Sequence, residues 1–158
     1  MSFWADLQRA FDEGRDEIQL GAPPEHLIDA MTLAARVDQR VTDDELRRMV
    51  TLLRRHFHAF HDASDAQIMN TLSDSVSRLR THGDQEAQAR ALSQAIRGYG
   101  TEGTETAYAL AFAVLVENGL SAIERAFSDA FRVLLAIEEE RAQAIEAELL
   151  AALGPGAP

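Results

Sequence analysis

Apolar residues recur along this chain with the three-and-four spacing of α-helices, and no window alternates in the manner of a strand. Trp4, Leu7 and Phe11 mark a first helix over roughly 2–19, stopped by Gly21 and by Pro23 and Pro24. Pro24 suits the first position of a second helix to about 37, with Leu27, Ile28, Met31 and Ala35 on one face. A third helix starts after Thr42 and presents Leu46, Met49, Val50 and Leu53. A fourth starts after Ser64, with Gln67 three residues on, and carries Ile68, Leu72, Val76 and Leu79. The fifth, about 84–97, offers Ala87, Ala91, Leu92 and Ile96. The sixth, 104–117, is apolar nearly all round and is therefore expected at the centre. A seventh follows Ser121 with Phe127, Ala130, Phe131 and Leu134, and the last runs from about 138 to 152.

The expectation is an all-α, single-domain bundle of seven or eight helices over residues 1–153. Within it, 1–20 is an N-terminal helix, 24–61 a first half, 64–97 linking helices and 104–153 a second half. GPGAP, 154–158, is a frayed tail.

Composition narrows the function. A formal charge of -11 argues against nucleic acid, because a polyanion needs a basic patch. The absence of cysteine excludes disulfides and thiolate-bound zinc, and fits a reducing, cytoplasmic setting. All 15 basic residues are arginines, so Schiff-base chemistry and a P-loop lysine are excluded. The longest apolar run, AYALAFAVLV, is too short to span a bilayer, and the first helix has a mostly acidic polar face unsuited to a membrane surface.

Two motifs reduce to structure. GYGTEG, 98–103, spells G-x-G-x-x-G, but the dinucleotide fingerprint needs a preceding strand and QEAQARALSQAIR is helical. Glu102 would also repel a pyrophosphate, so the stretch reads as an interhelical linker and no nucleotide is expected. His56, His58 and His61 lie near a helix C-terminus, where the dipole favours them, and beside Phe57 and Phe60. They read as packing residues rather than a zinc site.

A repeat is harder to reduce. DQRVTDDE begins at 38 and ENGLSAIE at 117, and both follow an alanine-rich apolar run. Each opens on a carboxylate, Asp38 or Glu117, and places an aliphatic residue three positions on, a hydroxyl four on and a glutamate seven on, Glu45 or Glu124. The hydroxyl and glutamate spell a capping box. That box leaves Asp38 and Glu117 unexplained, since an acid where a helix ends faces the negative end of its dipole at about 0.3–1 kcal/mol. If the two halves pack about a pseudo-twofold axis, four carboxylates converge. Two like charges about 4 Å apart cost about 4 kcal/mol at an effective dielectric near 20, so such a cluster must protonate, spread apart or bind a cation. Hard oxygen ligands suit Ca²⁺ or Mg²⁺.

This pair of helix, acid-x6-glutamate, helix units resembles the tellurite-resistance TerB family, from about Pro24 to Leu153 and most closely over TETAYALAFAVLVENGLSAIERAFSDAFRVLLAI. The resemblance implies an internally duplicated helical bundle whose paired D-G-x5-E motifs hold a divalent cation, a cytoplasmic location, and a stress-related role. It also implies a protein partner, membrane-attached for some members. The family's acidic positions fall on Asp38 with Glu45 and on Glu117 with Glu124. Gln39 stands where the family prefers glycine, Glu117 replaces an aspartate and the second glycine is displaced to Gly119, which implies a wider or weaker site. The chain is accordingly expected to be a non-enzymatic, cation-binding module. A scaffolding bundle with a decayed metal site is the alternative.

Overall fold

A computed structural model describes residues 24–37, 43–56, 64–81, 84–117 and 120–153. Among these residues every regular element is a helix: α1 (Pro24–Ala35), α2 (Asp43–His56), α3 (Asp65–Thr81), α4 (Gln85–Arg97), α5 (Thr101–Glu117), α6 (Ala122–Leu134) and α7 (Glu139–Leu153). The expected first helix, His58, His61 and the tail 154–158 lie outside the described residues.

Local sequence sets the helix ends. The Ser64 hydroxyl accepts from the Gln67 amide at 3.2 Å, and the Gln67 side chain accepts from the Ser64 amide at 2.8 Å, a reciprocal cap on α3. Asp84 caps α4 by accepting from the Ala87 amide at 2.7 Å. Helix α6 closes in a Schellman turn: the Ile137 amide donates to the Arg132 carbonyl and the Ala136 amide to the Val133 carbonyl. Ala136 takes the left-handed conformation there, at φ 61°, a position that glycine usually fills.

Helix α5 is the axle, as its all-round apolar sequence predicts. Residues 107 to 115 are all buried, Tyr108 and Phe112 among the largest side chains. α1, α4, α6 and α7 pack around it, and α3 lies on α1 with α2 against α3. The α1–α5 pairing is the most extensive. His26, in the first turn of α1, meets Tyr99, just before α5, with ring centroids 5.9 Å apart. Two helices that start side by side and stay in contact along their length run in the same direction, so α1 and α5 also end toward the same side of the bundle.

The expected apolar faces of α1, α2 and α3 are the buried ones, with Leu46 and Val76 only part-covered. Helices α4 and α6 differ from expectation. Ala87 and Ala91 are exposed, and α4 buries the expected Leu92 and Ile96 together with Gln88, Ala89 and Ser93. In α6 the inward residues are Glu124, Ser128 and Phe131, while Ala130 is exposed and Phe127 and Leu134 are half-buried. The cause in α6 is polar: its inward side is held by hydrogen bonds, described below, that outweigh the aliphatic count.

Candidate functional site

The four sequence-predicted acids divide unevenly. Asp38 lies outside the described residues, and so does the side chain of Glu117, whose backbone ends α5. Glu45 and Glu124 are described and match: each is the third residue of its helix and each is only 9% exposed. Ordinary first-turn glutamates face solvent, and burying a carboxylate carries a desolvation cost that local bonds must offset.

For Glu124 those bonds are visible. Its carboxylate accepts from the Ser121 amide at 3.0 Å, and the Ser121 hydroxyl accepts from the Glu124 amide at 3.3 Å, which closes the capping box. Leu120, just before the cap, sits at φ 47° and donates its amide to the Leu115 carbonyl at 3.0 Å. Thr42, the corresponding cap of α2, lies outside the described residues. The helices that carry the two glutamates have different supports, α2 against α3 and α6 against α4 and α5. Among the described residues no three His, Asp or Glu side chains gather closely enough to hold a metal ion.

A second polar centre joins α5, α6 and α7. The Tyr108 hydroxyl, on α5, donates to Glu146 Oε2 on α7 at 2.5 Å and lies 3.0 Å from Ser128 Oγ on α6. Arg125 of α6 donates to the other Glu146 oxygen at 2.8 Å, so one carboxylate ties three helices together. Burial, reinforced by the Glu146 carboxylate, pushes the Tyr108 phenol above its ordinary range, so it stays a donor at neutral pH. The bond to Glu146 likewise raises Arg125, which stays charged. These groups are spent on one another, and the arrangement has the character of a structural clamp. AYALAFAVLV reads as plain core, and nothing in its spacing marks Tyr108 as a hub, because its partners come from segments about 20 and 40 residues away.

Two further polar contacts brace the bundle. Arg141 holds Glu105 through two bonds of 2.9 and 3.0 Å, which raise the Arg141 pKa. Arg78 pairs with Asp29 at 2.7 Å, and Ser75 bridges Asp29 and Thr32. A cavity of about 320 Å³ opens between the α4–α5 and α6–α7 turns, where Arg97, Thr101, Thr104, Glu105, Glu138 and Arg141 contribute polar groups. Two bases and two acids give it no net charge. The Gly-rich stretch passes here as a helix–turn–helix: Gly98 ends α4, Gly100 takes φ 99°, and α5 follows. The helix in front of it removes the strand that a dinucleotide fold requires.

Compared with known protein families, with curated proteins and with solved structures, the chain matches none. No helix among the described residues is long and apolar enough to cross a membrane.

Proposed function

We propose that the chain is a non-enzymatic TerB-like helical module that takes a divalent cation, Ca²⁺ or Mg²⁺, on Asp38, Glu45, Glu117 and Glu124. It acts in the cytoplasm through a protein partner, in a stress response of the tellurite-resistance type. The observation that carries this reading is the co-directional central pair, α1 and α5. Each runs the same way, each leads to an acid of the repeat, and each is followed by a helix whose third residue is a buried glutamate. With a rise of about 1.5 Å per residue, α1 and α5 are about 18 and 26 Å long. Both helices end toward the same side of the bundle, which favours convergence of the two acidic loops, although α5 reaches further, since His26 is the third residue of α1 and Tyr99 lies two before α5.

The closed box of Ser121 and Glu124 favours a second reading, a scaffolding bundle in which the glutamates only cap. Calorimetric titration with Ca²⁺ and Mg²⁺ separates the two, using the parent, Asp38→Asn, Glu45→Gln, Glu117→Gln and Glu124→Gln. Glutamine preserves the return bond of a cap and removes a charged ligand. The cation reading expects binding by the parent that weakens in all four variants. It also expects cation stabilisation of about 2.7 kcal/mol at a hundredfold excess over the dissociation constant, largely lost in each variant. Equal titrations for parent and variants would leave the scaffold.

A further inference from the structure

Helices α2 and α3 enclose an open groove of about 650 Å³. Arg47, Val50, Thr51 and Arg54 line it from α2, three, one and three residues apart, and so form one stripe of that helix. Asp65 and Met69 line it from α3, four residues apart. Val50 is buried and Met69 half-buried, so the floor is apolar, while the more exposed arginines form the rim. Two arginines against one aspartate give this lining a charge of +1 in a chain of -11. The helix beside it is the most basic stretch of the sequence: residues 47–55 hold four of the 15 arginines and no acid.

We propose that this groove seats the chain's own N-terminal segment, the helix expected over 2–19. Shape and charge both select it. Trp4, Leu7 and Phe11 recur at steps of three and four, so a helix there presents them on one face. The two aromatic rings alone have about 150–250 Å² each to cover, and the groove floor is apolar. The charges are opposite: five acids against two arginines give residues 2–19 a net -3, facing a groove of +1. The Arg47–Asp44 and Arg54–Asp65 pairs at the rim are solvent-exposed and therefore weak, so either arginine can exchange its partner for an acid of the segment.

The tether also fits. Asp29, five residues into α1 from Pro24, accepts from the Ser75 hydroxyl of α3 at 2.7 Å, and Met69 lies six residues before Ser75. At about 1.5 Å per residue along each helix and about 8–10 Å between helices, Pro24 is at most about 27 Å from Met69. A helix over 11–20 followed by an extended 21–23 reaches about the same distance, which brings Phe11 to the groove and leaves Trp4 further along it. A tether this short holds the segment at an effective concentration on the order of millimolar, so a free partner or a second copy has to compete with it.

The sequence supplies its own probe, because Trp4 is the only tryptophan and there is no cysteine. In the full chain, with chelator present, a nitroxide on Asn70→Cys, exposed beside Met69, should quench most of the Trp4 emission. The same label on Ala130→Cys, exposed on α6, should quench little of it. The Asn70-label quenching should not depend on protein concentration and should fall as salt is raised. Arg47→Glu, at an exposed position, turns the lining charge from +1 to -1. It should raise the ratio of undocked to docked segment by roughly two- to thirtyfold, with the cooperative melt of the bundle retained. Equal quenching from the two labels overturns the proposal. Quenching that grows with concentration also overturns it and gives the groove to a second copy. Quenching indifferent to both salt and Arg47→Glu overturns it as well.

Discussion

Replacing Tyr108 by phenylalanine isolates the clamp at the centre of the bundle. The substitution keeps the ring and its stacking on Phe112, at 6.3 Å between centroids, so no cavity is made. It deletes the bond to a charged carboxylate, worth about 1.5–3 kcal/mol, and leaves Ser128, 2% exposed, without its Tyr108 contact. Arg125 still engages Glu146, so the carboxylate is not stranded and the loss should stay within that range. For a chain of this size it corresponds to a fall in melting temperature of about 3–12 °C. Urea unfolding followed by circular dichroism should show a lower midpoint at an unchanged slope. Alkaline pH adds a second signature. Because folding raises the Tyr108 pKa, the folded state holds a proton that the unfolded chain releases near pH 10. The stabilisation from this group is complete below about pH 10 and declines as pH rises beyond it, by at most about 1.4 kcal/mol per pH unit. Tyr108→Phe should remove that decline. A loss under about 0.5 kcal/mol, or an alkaline slope equal to the parent's, would refute the idea that the phenol braces three helices.

Two further predictions concern single positions. Ala136→Gly should stabilise the chain by about 0.5–1 kcal/mol in the same urea assay, because Ala136 is exposed and holds a left-handed φ of 61°. Gln88→Met should stabilise it by about 1–3 kcal/mol, since both amide atoms of Gln88 are buried without a hydrogen-bond partner and methionine fills a similar shape.

Much of the fold is legible in the sequence where two signals agree. Ser64 with Gln67 and Ser121 with Glu124 announce helix starts by side-chain chemistry alone, and each start is found where the cap places it. Leu27, Met31, Leu53, Ile68 and Leu72 lie inward because large aliphatic side chains leave little choice of face. Alanine does leave a choice, and the misplaced faces of α4 and α6 both leaned on it, through Ala87, Ala91 and Ala130. The inward side of α6 is decided by Ser128 and Glu124, whose partners lie on α5 and at the helix cap. Periodicity within α6 carries no trace of the Tyr108 contact that orients it. The candidate cation site is legible as a repeat of residue types, while Asp38 and the Glu117 side chain lie outside the described residues.

The depth of α5 also bears on how the chain is made. Leu27, Ile28 and Met31 of α1 find their main cover on a helix about 80 residues later, so the first half of the chain cannot complete its core alone. At about 5–20 residues per second, synthesis leaves that apolar face waiting for roughly 4–16 s before α5 has emerged. α5 itself is apolar nearly all round, and two of the helices that cover it, α6 and α7, emerge only after it. The polar surfaces of α2 and α3, rich in arginine and aspartate, are available during that interval to keep the incomplete bundle from associating with its neighbours.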